Sequence, residues 1–124
     1  MDSALENNME KLEKAVRYTK LFALYKSQLS TAQQEIINDY YCLDLSLSEI
    51  AENRSISRSA VDDALSKGCK KLDDLENDLH LLYKEENIKE KLSIMKKKAL
   101  NAGEIKEIED IEKDLNYGIW GTYR

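Results

Sequence analysis

A chain of 124 residues fits one domain, or one small domain with a helical extension. It contains no proline and four glycines, too few for a turn-rich β fold, and 35% of its residues are charged, with leucine and isoleucine between them, as in amphipathic helices. The formal net charge of −5 excludes a surface that attracts polyanions everywhere, and no apolar run approaches the ~20 residues of a membrane span.

The charge is uneven along the chain. Residues 9–29 carry five basic and two acidic side chains, and residues 30–53 carry five acidic and none basic. Residues 54–72 carry five basic side chains against Asp62 and Asp63, while residues 104–115 carry six acidic and two basic. A local basic surface is therefore compatible with the acidic total. Cys42 and Cys69 lack metal-ligand spacing, and the N-terminus shows no secretory or transit pattern. Both read as reduced, buried thiols of a cytoplasmic protein, with no membrane as partner.

In chain order, Ser3 and Glu6 form a capping box, and Leu5, Met9, Leu12, Val16, Thr19 and Ala23 follow at 4-3 spacing. This predicts a helix to about Ser27 with that stripe inward. Met9 is an alternative start, which would make residues 1–8 dispensable. A second box, Ser30 and Gln33, opens a helix carrying Ile36, Ile37, Tyr40 and Tyr41 that ends near Cys42. A third, Ser46 and Glu49, opens a short helix with Leu47, Ile50 and Ala51 inward, ending near Asn53. Residues 54–56 then form a turn, and Ser57 caps the next helix.

Val61, Leu65, Gly68, Leu72, Leu75, Leu79 and Leu82 recur at heptad rhythm. They predict one long helix through Glu86, with a bend at Asn87. Leu72, Leu75, Leu79 and Leu82 need cover, either from another helix of the chain or from a second subunit, and so are candidates for a homodimer seam. Ile88, Leu92, Met95 and Ala99 continue the helical spacing, Asn101-Ala102-Gly103 reads as a stop, and Ile105, Ile108, Ile111 and Leu115 mark a last helix. Trp120 and Tyr123 lie in a glycine-broken tail. The expected division is residues 1–86, a domain including the long helix, and residues 87–124, a helical extension. The acidic last helix either meets a basic partner, folds over the basic surface and masks it, or presents a solvated face.

Residues 48–65, SEIAENRSISRSAVDDAL, have the outline of a helix-turn-helix. Two helices that cross closely need a small residue, Ala51, and a branched apolar one, Val61; Ile50, Ile56 and Leu65 complete the small core. Ser57, Arg58, Ser59, Asp62, Asp63 and Ser66 are then free to meet a groove, and Arg54, Lys67 and Lys70 to reach phosphates. No catalytic arrangement accompanies them. His80 is the only histidine, with Glu76 at i−4 as an ordinary surface pair, and neither cysteine has a histidine partner pattern. There is no glycine-rich phosphate loop and no histidine-cysteine cluster, so neither cofactor nor metal is expected.

Residues 17–83 carry Arg17, Leu21-Phe22, Tyr25, Leu29, Gln33, Tyr40-Tyr41, Asp44, Ser46-Leu47, Glu49-Ile50-Ala51-Glu52, Ser57-Arg58, Ala60-Val61, Asp63 and Leu79. In combination this resembles the YlxM family of helix-turn-helix proteins. The resemblance implies an all-α protein whose first part is similar to the last DNA-binding region of bacterial sigma factors. It also implies no enzyme activity, and a regulatory or accessory role beside the signal recognition particle and its receptor. Three positions depart from the family pattern: Ser55 where glycine is usual in the turn, Ser59 where glutamine is common, and Asp62 where an aromatic is common. Serine reads base edges less selectively than glutamine, and a carboxylate repels phosphate. Two expectations stand side by side: a DNA-binding regulator of weak, salt-sensitive affinity, and a non-enzymatic module that docks on protein or RNA of the targeting machinery.

Overall fold

A computed structural model describes residues 3–117, with side chains over residues 6–115. Among these residues there are six α-helices and no strand: α1 Ser3–Tyr25, α2 Thr31–Ile37, α3 Leu47–Arg54, α4 Arg58–Leu79, α5 Leu81–Lys98 and α6 Ala102–Tyr117. A 3-10 turn, Lys26–Gln28, follows α1, and a π turn, Asn38–Cys42, follows α2. The protein is all-α. It divides into two compact units, Met1–Asp78 and Leu79–Arg124.

The buried face of α1 is not the one its 4-3 stripe suggests. Leu21 and Tyr25 are buried and Tyr18 and Phe22 half-buried, whereas Met9, Leu12 and Val16 remain 53%, 66% and 48% exposed. The set 18, 21, 22, 25 also obeys helical spacing, and it carries three aromatic rings, each with more apolar area to bury than a methionine or valine. Two of these rings also find polar partners on α4. The Tyr18 hydroxyl donates to Asp73 Oδ2 at 2.7 Å and the Tyr25 hydroxyl to Glu76 Oε1 at 2.7 Å. Arg17 adds a bridge to Asp73 at 3.2 Å. The Ser3 cap, the Leu5 side chain and the aromatic tail with Trp120 and Tyr123 fall outside the described side chains.

The two serine boxes that follow form as the sequence suggests. Ser30 Oγ accepts from the Gln33 N–H while Gln33 Oε1 accepts from the Ser30 N–H, and Ser46 and Glu49 exchange the same pair of bonds. Helix α2 stops at Ile37, and the segment to Cys42 is a π turn. That wider turn brings Asp39 inside, at 7% exposure.

Helix α4 crosses α2 closely. A Cβ on Gly68 would stand 2.6 Å from Ile37 Cδ1 and 3.4 Å from Gln33 Cβ, so a side chain there requires Ile37 to shift. Helix α4 does not run on to Glu86. His80 takes a left-handed conformation, φ 56° and ψ 30°, and the chain restarts as α5, which passes through Asn87 unbroken. Histidine enters this region more readily than most residues, which is why no glycine or proline marks the break. The heptad is therefore not carried by one continuous helix. Leu72 and Leu75 lie within α4, Leu79 ends it, and Leu82 lies on α5. Leu72 and Leu82 are already buried in the single chain, Leu75 is half-buried, and Leu79 is 47% exposed.

The second unit is a helical hairpin. Leu92 on α5 packs with Ile108 and Leu115 on α6, and Ala99 packs against them. Lys96 reaches Glu109 at 3.2 Å and Glu112 at 3.5 Å. The Asn101-Ala102-Gly103 triplet starts a helix as much as it ends one. Asn101 Oδ1 accepts from the Glu104 N–H at 2.9 Å, and the Glu104 carboxylate accepts from the Leu100 N–H at 2.7 Å.

Gly68→Val forces Ile37, which has no exposed surface, out of its place. The expected loss is about 2 kcal/mol in urea unfolding, the usual cost of overpacking a tight core.

Candidate nucleic-acid interface

The helix-turn-helix consists of α3, the turn at residues 55–57, and the first half of α4. Ile50, Ala51, Val61 and Leu65 form its core, all 9% exposed or less. Ile56, expected in that core, stands 40% exposed. Ser55 is the pivot of the turn. It lies in the left-handed region, φ 55° and ψ 42°, and its N–H donates to the carbonyls of Ala51 and Glu52. The Ile56 N–H then returns to the Ala51 carbonyl at 3.1 Å, closing α3. Ser57 caps α4, its Oγ accepting from the Ala60 N–H at 3.0 Å.

This geometry leaves Ser57, Arg58, Ser59, Asp62, Asp63, Ser66, Lys67 and Lys70 exposed, while Val61, Leu65, Gly68 and Leu72 on the same stretch are buried. The first six belong to the opening turns of α4, the part that a helix-turn-helix offers to a groove.

The charges are more committed than the sequence suggests. Arg54 is not a free phosphate contact. Its Nε donates to Asp39 Oδ2 at 2.6 Å and one terminal nitrogen to Glu35 at 2.9 Å, which pushes its pKa further up, first through the Asp39 bond. Lys67 pairs with Asp63 at 3.1 Å and Lys70 with Asp74 at 2.8 Å, each one turn along the helix. These pairs are exposed and water screens them, so a phosphate can take the carboxylate's place. Among the described residues Arg58 is in no ion pair.

Arg58 also borders a cleft that the sequence did not reveal. It has a volume of about 610 Å³, and residues of α1, the π turn and the start of α3 complete its lining, among them Lys11, Lys14 and Tyr40. The aromatic wall is made by Tyr40 and Tyr41 together. Tyr40 meets Tyr41 edge-on at 4.8 Å, and Tyr41 stacks on Tyr18 at 5.3 Å. Tyr41 bonds to the Cys69 thiol, and burial, more than any charge, pushes that thiol up to about 11. Burial and then the Asp73 bond push Tyr18 up to about 12. The only prior sign of this wall is the Tyr40-Tyr41 pair; nothing in the sequence places Lys11 and Lys14 beside Arg58.

Among the described residues no group of three or more His, Cys, Asp or Glu side chains is placed to hold a metal ion. None of the described helices is long and apolar enough to cross a membrane.

Fold and surface together define an all-α helix-turn-helix protein. The sequence profile described as "Putative helix-turn-helix protein, YlxM / p13 like" matches residues 12–113. The chain is similar to a UPF0122 protein of Mycoplasma capricolum, 40% identical over 119 residues, covering 96% of this chain and 98% of the relative. It is also similar to the UPF0122 protein YlxM of Bacillus subtilis, 38% identical over 97 residues, covering 78% and 88%. A UPF0122 protein of Clostridium acetobutylicum is 34% identical over 112 residues, covering 85% and 97%. The chain belongs to this YlxM / p13-like family.

Two outcomes test this geometry. Ser55→Gly relieves a left-handed serine and raises stability by about 0.5–1 kcal/mol, whereas Ser55→Val lowers it by about 1–2 kcal/mol, both read from denaturant midpoints. Iodoacetamide at neutral pH alkylates the exposed Cys42 at least about tenfold faster than Cys69, because the thiolate is the nucleophile; mass spectrometry of the two peptides reads the ratio, and denaturant removes it.

Proposed function

We propose that this protein binds nucleic acid, with the opening turns of α4 as the element that meets the duplex. The observation that carries this reading is that Ser57, Arg58, Ser59, Asp62 and Ser66, at the start of α4, are all exposed while the helix is mounted on a buried helix-turn-helix core. Arg58 contacts phosphate, Lys67 and Lys70 exchange their carboxylate partners for phosphate, and the serines lie at the base edges. Asp63 and Asp62 limit the affinity. Asp63 holds Lys67, and Asp62 repels any phosphate that approaches along the groove.

With two or three phosphates neutralised, log K falls with log salt at a slope of about −2 to −3. The protein is then a weak, salt-sensitive binder whose specificity comes from few contacts. No step in this reading requires catalysis or a cofactor. The resemblance to the YlxM family implies the setting: a regulatory or accessory role in the signal recognition particle pathway, in the cytoplasm.

The test is a titration of labelled duplex DNA and structured RNA at two salt concentrations. Arg58→Ala is expected to weaken binding about tenfold and to flatten the salt slope by about one unit. Asp62→Ala is expected to tighten it a few-fold. An RNA of the signal recognition particle, compared with an unrelated structured RNA, reads the pathway link. Absence of binding at low salt would overturn this reading. It would leave the same surface, with its two aspartates, as a docking face for a basic protein.

A further inference from the structure

The cleft beside Arg58 has the size of a small-molecule site, which typically spans a few hundred to about a thousand Å³. We infer that it binds one nucleotide, with the base against Tyr40 and the phosphate among Lys11, Lys14 and Arg58. The inference shares Arg58 with the nucleic-acid reading above and adds to it a site outside the helix-turn-helix groove.

Three features select this ligand chemistry. First, Tyr40 is a half-buried ring that lines the cleft beside Tyr41, which it meets edge-on, and Tyr41 in turn stacks on Tyr18. A base stacks on such a platform without a change of conformation, and stacking accepts any of the four bases. Second, Lys11, Lys14 and Arg58 line the cleft from two elements far apart in sequence, and among the described residues none of them is held in an ion pair. They are free cations around a concave wall, unlike Arg54, Lys67 and Lys70, whose charge is partnered. Third, Glu10, Asp44 and Glu49 line the same cleft, so its formal charge balances. One Glu49 oxygen is used on the Ser46 N–H. The remaining carboxylate oxygens are acceptors without protons to give. They repel a polyphosphate and suit a ligand with a single phosphate and several donors. A nucleoside monophosphate unit is such a ligand, through its ribose hydroxyls and base amino groups.

That unit has two sources, a free mononucleotide or an unpaired nucleotide of a strand lying on the helix-turn-helix. The closing experiment separates them with the full-length chain. One arm titrates AMP, CMP, GMP and UMP by calorimetry. The other compares a fully paired duplex with the same duplex carrying one bulged nucleotide, by fluorescence anisotropy. Lys14→Ala tests the phosphate end, and Tyr40→Ala the platform, with Tyr40→Phe as the variant that keeps the ring; thermal melts by circular dichroism check that each is folded.

The expected result is binding in at least one arm that weakens about tenfold in Lys14→Ala and Tyr40→Ala and survives in Tyr40→Phe. Mononucleotide binding alone assigns the site to a free nucleotide. Preference for the bulged duplex alone assigns it to a strand. If no mononucleotide binds at millimolar concentration and the two duplexes bind equally, the cleft is not a nucleotide site, although the helix-turn-helix reading stands. If neither duplex binds and no mononucleotide does, both readings fall.

Discussion

The first unit is organised by one ionic contact, that between Arg54 and Asp39. Asp39 is 7% exposed, and a carboxylate that deep is tolerated as an anion only when paired and hydrogen-bonded. Arg54 Nε meets it at 2.6 Å, and the same guanidinium extends to Glu35 at 2.9 Å. The last turn of α3 is thereby tied to α2 and to the π turn. The position of Ser55, where the chain reverses into α4, follows from that tie. Tyr40 and Tyr41, the two residues after Asp39, are carried by the same turn to α1, where Tyr41 stacks on Tyr18.

Helix α4 has two roles on two faces. Its inner face presses Gly68 against Ile37 and holds α1 through Asp73 and Glu76. Its outer face starts with Arg58 and carries both aspartates. The buried contacts hold the helix against α1 and α2 and set which of its residues face outward. The cost is charge. Arg54 is consumed by structure, and Lys67 and Lys70 are shared with carboxylates one turn away. On the proposed reading, an acidic protein with so few free cations on this face would bind with an affinity that salt removes.

Much of this was legible in the sequence, and the parts that were share a cause. The capping boxes Ser30–Gln33 and Ser46–Glu49 and the Ser57 cap are bonds between residues three apart. The Ala51–Val61 crossing and the glycine-like demand at Ser55 lie within one short motif. The α1 face did not show itself, since Met9-Leu12-Val16 and Tyr18-Leu21-Phe22-Tyr25 both satisfy helical spacing. The break at His80 has no glycine or proline to announce it. Arg54 has the composition of a phosphate contact, and Asp39 and Glu35, fifteen and nineteen residues earlier in the chain, claim it.

The sequence by itself determined the helical class, the starts of α2, α3 and α4 and the helix-turn-helix, because hydrogen bonds and caps between neighbours set these whatever the chain does elsewhere. The tertiary structure alone decided which α1 face is buried, where α4 ends, which cations are free, and that Lys11, Lys14 and Tyr40 stand around Arg58. Those are contacts between residues up to about fifty positions apart. They depend on how much apolar area each packing removes from water and on which buried charges find partners, and no local periodicity records that.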